Sequence, residues 1–475
     1  MFRVGKEELE TLNPRLETTE SIELATIMKV IDQLSQYLEG SRRVEPPPQV
    51  ARKAKQHILD ALAAMVSGAK LRPGRLAIKY GRSQRGKREA TVAATNLMLP
   101  AATAALVTGI LAHADETDDT HWGSRTHPGC AIIPAALAIG EKENKDGKSL
   151  INAVVAGYDV GCRLTVALGV RQTGWHSTHS LGGTFGAATA ASLLAGLNAQ
   201  EIRWALSYAA QQASGVHSWV ADSDHVEKAF DFGGMPARNG VTAAVLVQCG
   251  FTGMADVFEG EKNFLGAYSP SPDPQKLLDG LGNRYEILQT SIKRFPVGAP
   301  IQSAAEALER IQEKHELRPE NIEKLTVRLT RDGAETVNNR LMPDINLQYI
   351  MAVMVLDGRL SFDAAHDHRR MKEKTVKEVM ARIELVGDES LFQPSTPRPA
   401  VVEVTTATGE DLRAQVASSR GTPENPMSDE EVERKALDLM APVLGAARSH
   451  DLIDKVRALD SVSSVRDIAG LLKKS

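Results

Sequence analysis

Between residues 89 and 260 the chain is built almost wholly from Ala- and Gly-rich segments of helical spacing, near 95–114, 131–143, 148–170, 183–196, 199–213 and 236–250. Several have no clear polar face, and a helix that is apolar all round tends to be buried. Aromatic residues make up only 4% of the chain, so Ala, Leu, Val and Ile must fill the core. Ala has the highest helix propensity and favours close helix packing. A many-helix core domain is expected, with no internal repeat. Before it, residues 1–20 read as a polar leader. One helix is read through Ile27, Val30, Ile31, Leu34 and Leu38, and a second through Ile58, Leu62, Met65 and Val66. Residues 41–48 between them read as a linker, and the basic stretch 70–88 as a solvated loop rather than an anion-attracting patch.

After residue 285 the pattern changes. Leu325, Val327 and Leu329 alternate with polar residues, as do Ile383 and Leu385. Val402, Val404 and Thr406 lead through Thr408-Gly409 to Leu412, Ala414 and Val416. This is the alternation of half-buried strands, the last two forming a hairpin. Helices are read near 300–314 and 345–357. Ser428 and Glu431 make a capping-box pattern for a last helix whose apolar face returns to the first domain. A chain of 475 residues exceeds what one core holds. The expectation is a mainly α protein: an all-helical domain over 1–285, rejoined by 426–475, and a smaller α+β domain over 286–425.

A formal net charge of −4 argues against nucleic acid, whose partners carry a basic excess. Cys130, Cys162 and Cys249 are odd in number and widely spaced, so they read as buried reduced thiols rather than a disulfide or zinc framework. The N-terminus lacks the apolar stretch of a secretory signal, and no apolar run reaches the roughly 18 residues that span a bilayer. A soluble cytoplasmic protein is expected, without a membrane partner.

The densest polar cluster is HADETDDTHWGSRTHPG, residues 113–129, which follows an apolar helix and ends in a structure-breaking His127-Pro128-Gly129. Loops between buried helices are common places for catalytic groups. Three readings are open: a metal site of carboxylates and imidazoles, an acid–base site in which a carboxylate sets the tautomer of His127, and a structural loop with Asp118 and Asp119 as helix caps. In GWHSTHSLGGTFGAA, residues 174–188, His176 and His179 precede a Gly-rich turn and a helix whose start offers free N–H groups to an anion. Lys228 and Lys293 lie before a buried helix and at the suspected domain junction. Each is either a surface lysine or a clamp for a substrate carboxylate.

The ordered set DDT (118–120), HPG (127–129), GWH (174–176), KAFDFGG (228–234), IKRFP (292–296) and NLQYIMAVMVLDG (346–358) resembles the MmgE/PrpD family. That family includes 2-methylcitrate dehydratases, cis-aconitate decarboxylase and iminodisuccinate epimerase. Each motif is weak alone; their order over most of the chain makes the resemblance specific. It implies a helical domain with an α+β lid, a homodimer, no cofactor or metal, and an active site in the cleft between domains. His127, His176, Lys228, Lys293 and Tyr349 match catalytic positions of the family. Glu116 stands at the offset, four before Thr120, where the decarboxylase has Asp. Asp118, Asp119, Thr120 and His179 fall to substrate binding. Gln302 does too, standing near where the family often has a histidine after its Lys-x-Phe-Pro motif. The segment between DDT and HP is one residue longer than in the decarboxylase.

These residues suit proton chemistry next to a carboxylate of a di- or tricarboxylate. The lysines would stabilise the developing charge, His127 and His176 would give and take protons, and Glu116 or a neighbouring Asp would orient His127. The first expectation is a dehydratase of a 2-methylcitrate-like acid. The alternatives are an aconitate-type decarboxylase, an epimerase of a substituted succinate, and a non-catalytic dimeric binding homologue.

Overall fold

The helix Thr178–Ala195 is wrapped by Gly147–Leu168, Gly129–Lys142, Ala199–Gln212 and Met235–Gln248. The computed structural model describes residues 28–170, 173–393 and 398–474; the leader read over 1–20 lies outside them. Small residues are what this packing requires. A Cβ on Gly161 would stand 2.7 Å from the carbonyl oxygen of Gly182 on the neighbouring helix. Gly147–Leu168 corrects the reading of membrane-length segments: it is long and apolar enough to cross a bilayer, but nearly all of it is buried inside the protein. A core helix surrounded by others has no need of a polar face.

The chain is mainly α, with a small sheet in its C-terminal half. Two apolar cores form. The larger runs from Val30 to Ile292 and takes up residues from Met427 to Leu472; the smaller runs from Phe295 to Val416. Ile287 and Ile292 thus pack with the helices. The smaller core lies under a four-stranded sheet in the order Ile383–Gly387, Ile322–Leu329, Ala400–Thr406, Asp411–Val416. Only the first pair is parallel. Helices Gln302–Gln312 and Leu347–Asp357 pack against it. Ser428 and Glu431 complete the capping box of Asp429–Leu444, which packs on Pro48–Gly68 of the helical core.

Three local expectations need correction. The basic stretch contains a helix, Arg72–Ser83, because Pro73, Gly74, Ala77 and Gly81 bury one face at helical spacing. The larger unit is not wholly helical, since two-residue strands pair at Ala90–Thr91 with Met98–Leu99 and at Thr120–His121 with Thr290–Ser291. Cys249 is exposed just past a helix end, whereas Cys130 and Cys162 are buried.

Candidate active site

The polar loop leaves Ala101–Ala112 at His113 and enters Gly129–Lys142. Its short strand pairs Thr120 with Ser291 and His121 with Thr290, which carries Lys293, two residues on, up to the buried carboxylates of the loop. Adjacent carboxylates part company here. Asp119 accepts from Gly129 N–H (3.0 Å) and Tyr158 Oη (2.6 Å) and is hydrogen-bonded to His57 Nδ1 (2.8 Å). It ties three helices together, so its oxygens are occupied and its expected place in substrate binding is corrected to a structural one.

Glu116 is the centre of charge. Its carboxylate contacts Lys228 Nζ on one side and Lys293 Nζ at 3.2 Å on the other; Lys293 also donates to the Glu116 carbonyl at 2.8 Å. Burial alone would raise the Glu116 pKa, but Lys228 and Lys293 hold it well below the usual range. Burial would likewise lower Lys293, and the carboxylates of Glu116 and Asp118 raise it instead. Glu116 and Lys293 are therefore both ionised at neutral pH. Lys228 also lies over the rings of Phe232 (5.1 Å) and Trp219 (5.5 Å).

Asp118, not Glu116, orients the histidines. Its oxygens lie 2.9 Å from His113 Nδ1 and 3.2 Å from His127 Nδ1, with Lys293 Nζ at 3.6 Å. Burial would raise Asp118, but His113, His127 and Lys293 hold it well below its usual value. An ionised carboxylate only accepts, so each Nδ1 carries a proton, and the Nε2 of His127, which borders the cavity, is left for chemistry. Burial and the Lys293 charge lower His127 to about 4 against the pull of Asp118. It is neutral in the unliganded protein.

The wall beside His127 is aromatic. Phe232 stacks on His179 at 3.6 Å and on His113 at 4.4 Å between ring centroids. Phe232 lies in a π-helical turn, Phe230–Gly234, a distortion common at functional sites. A Cβ on Gly109 would stand 2.5 Å from the carbonyl oxygen of Gly233, so this turn reaches the His113 helix only because both residues are glycine. Just before Lys228, His225 takes a left-handed φ of 63°, a strained conformation for a residue with a side chain.

A cavity of about 420 Å³ is lined by Glu116, Thr120, His127, His179, Lys228 and Phe232 from the helical core and by Pro300, Ile345 and Arg398 from the smaller unit, among others. Lys293 lies behind Glu116 and faces a second cavity, of about 520 Å³, across Trp122. Three expected residues are elsewhere. His176 is outside the lining and packs on Tyr268, 4.7 Å between centroids. Its neighbour His179, one position inside the helix Thr178–Ala195, has the place beside His127. That helix start meets a protein carboxylate, Asp231, which accepts from Ser177 Oγ (2.5 Å) and Ser180 Oγ (2.6 Å). Tyr349 is buried within the smaller core, its hydroxyl donating to the Ala364 carbonyl at 2.6 Å. Gln302 accepts from Phe295 N–H and donates to the Phe295 and Val297 carbonyls (2.8–3.0 Å). Its amide holds the turn after Lys293, and it borders the second cavity rather than the main one.

Sequence reasoning gave no role to His113, His225, His366, Asp344 or Arg398. His366 Nε2 lies 2.9 Å from Asp115 and 3.9 Å from Asp344; Asp344 accepts from Glu116 N–H at 3.2 Å. His113 alone had a signal, as the first residue of the polar cluster. Among the described residues two groups have metal-ligand atoms within 4.8 Å of one another: His113, Asp118 and His127, and His113, Glu116 and His225. Each contains a carboxylate already paired with lysine, Asp118 in the first and Glu116 in the second, so a divalent ion there would face the Lys293 or Lys228 ammonium at close range. The donor set suits an anionic ligand better than a cation.

Comparison with known proteins agrees in order and extent. The MmgE/PrpD N-terminal domain matches residues 32–277 and the MmgE/PrpD C-terminal domain residues 295–461. A cis-aconitate decarboxylase-like protein of Aspergillus oryzae is 25% identical over 90% of this chain and 93% of its own length. The cis-aconitate decarboxylase of Homo sapiens is 25% identical over 90% of each chain, and that of Aspergillus terreus 24% over 90% and 92%. With both domain types matched in order over most of its length, the chain belongs to the MmgE/PrpD family.

Proposed function

We propose that this protein is a carboxy-lyase that decarboxylates a small unsaturated tricarboxylate of the cis-aconitate kind, using its own side chains. Its family and the decarboxylase names of its relatives make it an enzyme of the lyase class. They favour decarboxylation over the dehydration that the sequence put first. The observation that carries the reading is the buried Lys228–Glu116–Lys293 array beside a histidine held by Asp118.

In such a substrate the C–CO2 bond breaks and its electron pair forms a new double bond to the neighbouring carbon. The pair of the old double bond moves to the carbon next to a remaining carboxylate, and that carbon takes up a proton. Negative charge spreads onto the remaining carboxylate as this happens. Lys228 faces the cavity and stabilises that charge as a point cation, while Lys293 sets the field from behind. His127 supplies the proton from Nε2. It is neutral when the cavity is empty, and the negative charge of a bound polycarboxylate favours its protonated form. Asp118 keeps the ring oriented throughout.

Proton NMR of the purified protein in deuterated water with cis-aconitate, trans-aconitate, citrate, 2-methylcitrate and substituted succinates tests the proposal. Loss of CO2 from cis-aconitate with one deuterium in the product is expected. Conversion of 2-methylcitrate to an unsaturated acid, with cis-aconitate untouched, would return the site to a dehydratase. Exchange without net conversion of a succinate would make it an epimerase. No conversion or exchange with any acid would leave a binding homologue.

A further inference from the structure

Among the described residues, four lysines and arginines line the main cavity, and three of them have partners. Lys228 pairs with Glu116, Arg125 with Asp332 at 3.2 Å, and Arg340 donates to the Val220 carbonyl at 2.6 Å. The Arg398 guanidinium has no hydrogen bond and no ion pair among the described residues. It rests on the Trp122 ring, 4.7 Å from the centroid, with the Arg125 guanidinium 5.6 Å from the same ring. Its backbone is fixed: Ser303 Oγ donates to the Arg398 carbonyl at 2.6 Å, and the strand Ala400–Thr406 begins two residues later. Arg398 also borders the second cavity, so it stands in the partition between the two.

A cation–π contact with an indole uses none of the guanidinium's N–H donors and leaves its fork free. That fork matches a carboxylate bidentately. Withdrawing a cation from water is costly, and burial lowers Arg398 to about 10 against the pull of the more distant Asp332 and Glu116 carboxylates, still charged at neutral pH. The lysines, by contrast, already face Glu116 and Asp118. We propose that Arg398 is a specificity-determining residue, the anchor through which the smaller unit binds one substrate carboxylate, so that the site selects acids with a carboxylate reaching away from the lysine array. This rests on the reading of the cavity as a polycarboxylate site, though not on decarboxylation.

The test is calorimetric binding of tricarballylate, and of the two dicarboxylates made by removing one of its carboxylates, glutarate and methylsuccinate. The full-length wild type, Arg398→Met and Arg398→Lys are compared. In Arg398→Met the affinity for tricarballylate is expected to fall roughly 10- to 100-fold, the loss of one charge-assisted pair. It should fall to that of one dicarboxylate, whose own affinity is unchanged by the substitution. Arg398→Lys, which keeps the charge and loses the fork, should fall between. Unchanged tricarballylate binding in Arg398→Met, equal weakening of all three acids, or no binding of tricarballylate to the wild type would each overturn the anchor. Should Arg398→Met not fold, wild-type affinity in Arg398→Lys would overturn it. A wild type that binds tricarballylate through Arg398 but leaves cis-aconitate unchanged keeps the anchor and loses the decarboxylase.

Discussion

His366 of the smaller unit and Asp115 of the helical core form a buried ion pair at 2.9 Å across the junction that holds the site. Burial would lower His366, but Asp115, helped by Asp344 and the Phe362 carbonyl, raises it to about 9. A histidine pKa raised on folding above its unfolded value of about 6.5 means that the folded state binds more protons between those values. The stability it contributes is then complete below about pH 6.5 and lost as pH rises through about 9. His366→Gln should therefore be less stable than the wild type by roughly 3 kcal/mol at pH 6, with the gap closing by pH 9.5. Denaturant unfolding at the two pH values measures it. A gap that widens with pH would show that His366 is neutral in the fold.

Asp118 and Asp119 should separate cleanly. Asp118→Asn removes the acceptor shared by His113 and His127 and frees the tautomer of His127. A fall in kcat of roughly a thousandfold or more is expected, with melting temperature little changed. Asp119→Asn weakens the contacts to His57, Tyr158 and Gly129 and should cost about 1–3 kcal/mol of stability. Equal kinetic damage from both would contradict the division.

Lys228→Ala removes the one lysine among the described residues that faces the main cavity and should lower kcat by about 100- to 1000-fold. His127→Ala should abolish turnover, both variants remaining folded by circular dichroism. Prolonged treatment with EDTA should change nothing, because lysines already compensate the carboxylates that would bind an ion. Activity lost to the chelator and restored by a divalent cation would reverse that reading.

Much of this was legible because helical spacing and motif order are local. The Ala- and Gly-rich helices, the C-terminal hairpin and the Ser428 capping box all depend on residues close in sequence. The reading failed where tertiary contacts decide. Nothing local separates Asp118 from Asp119, whose partners come from different helices. His176 and His179 look alike in GWHSTH; only the helix starting at Thr178 turns one toward His127. His366 and Arg398 sit in unremarkable loop sequence and reach the site through the packing of the smaller unit. In the stretch 70–88 the dense positive charge masks the apolar spacing that makes Arg72–Ser83 a helix. From these placements His179→Ala should impair turnover at least tenfold, whereas His176→Ala should leave it within about twofold, a large polar group beside the reacting atoms mattering more than one outside the cavity. The reverse ranking in steady-state kinetics would place His176 in the site.

The contact between Gly109 and Gly233 links fold to chemistry most directly. A Cβ on Gly233 would stand 2.1 Å from the Gly109 carbonyl oxygen, a backbone atom that cannot rotate aside. Gly233→Ala must therefore push the π-helical turn away from the helix that ends at His113. Phe232 would move with it, and the stack on His113 and His179 would loosen. Lys228, four residues back, would lose its place over the Phe232 ring. Overpacking of this kind costs about 1–3 kcal/mol, which a protein of this size should survive. The expected result is a folded variant with a lowered melting temperature and a kcat reduced more than KM is raised, since the displaced groups act on the reacting atoms. Wild-type kcat in a destabilised Gly233→Ala protein would show that the turn supports the fold alone.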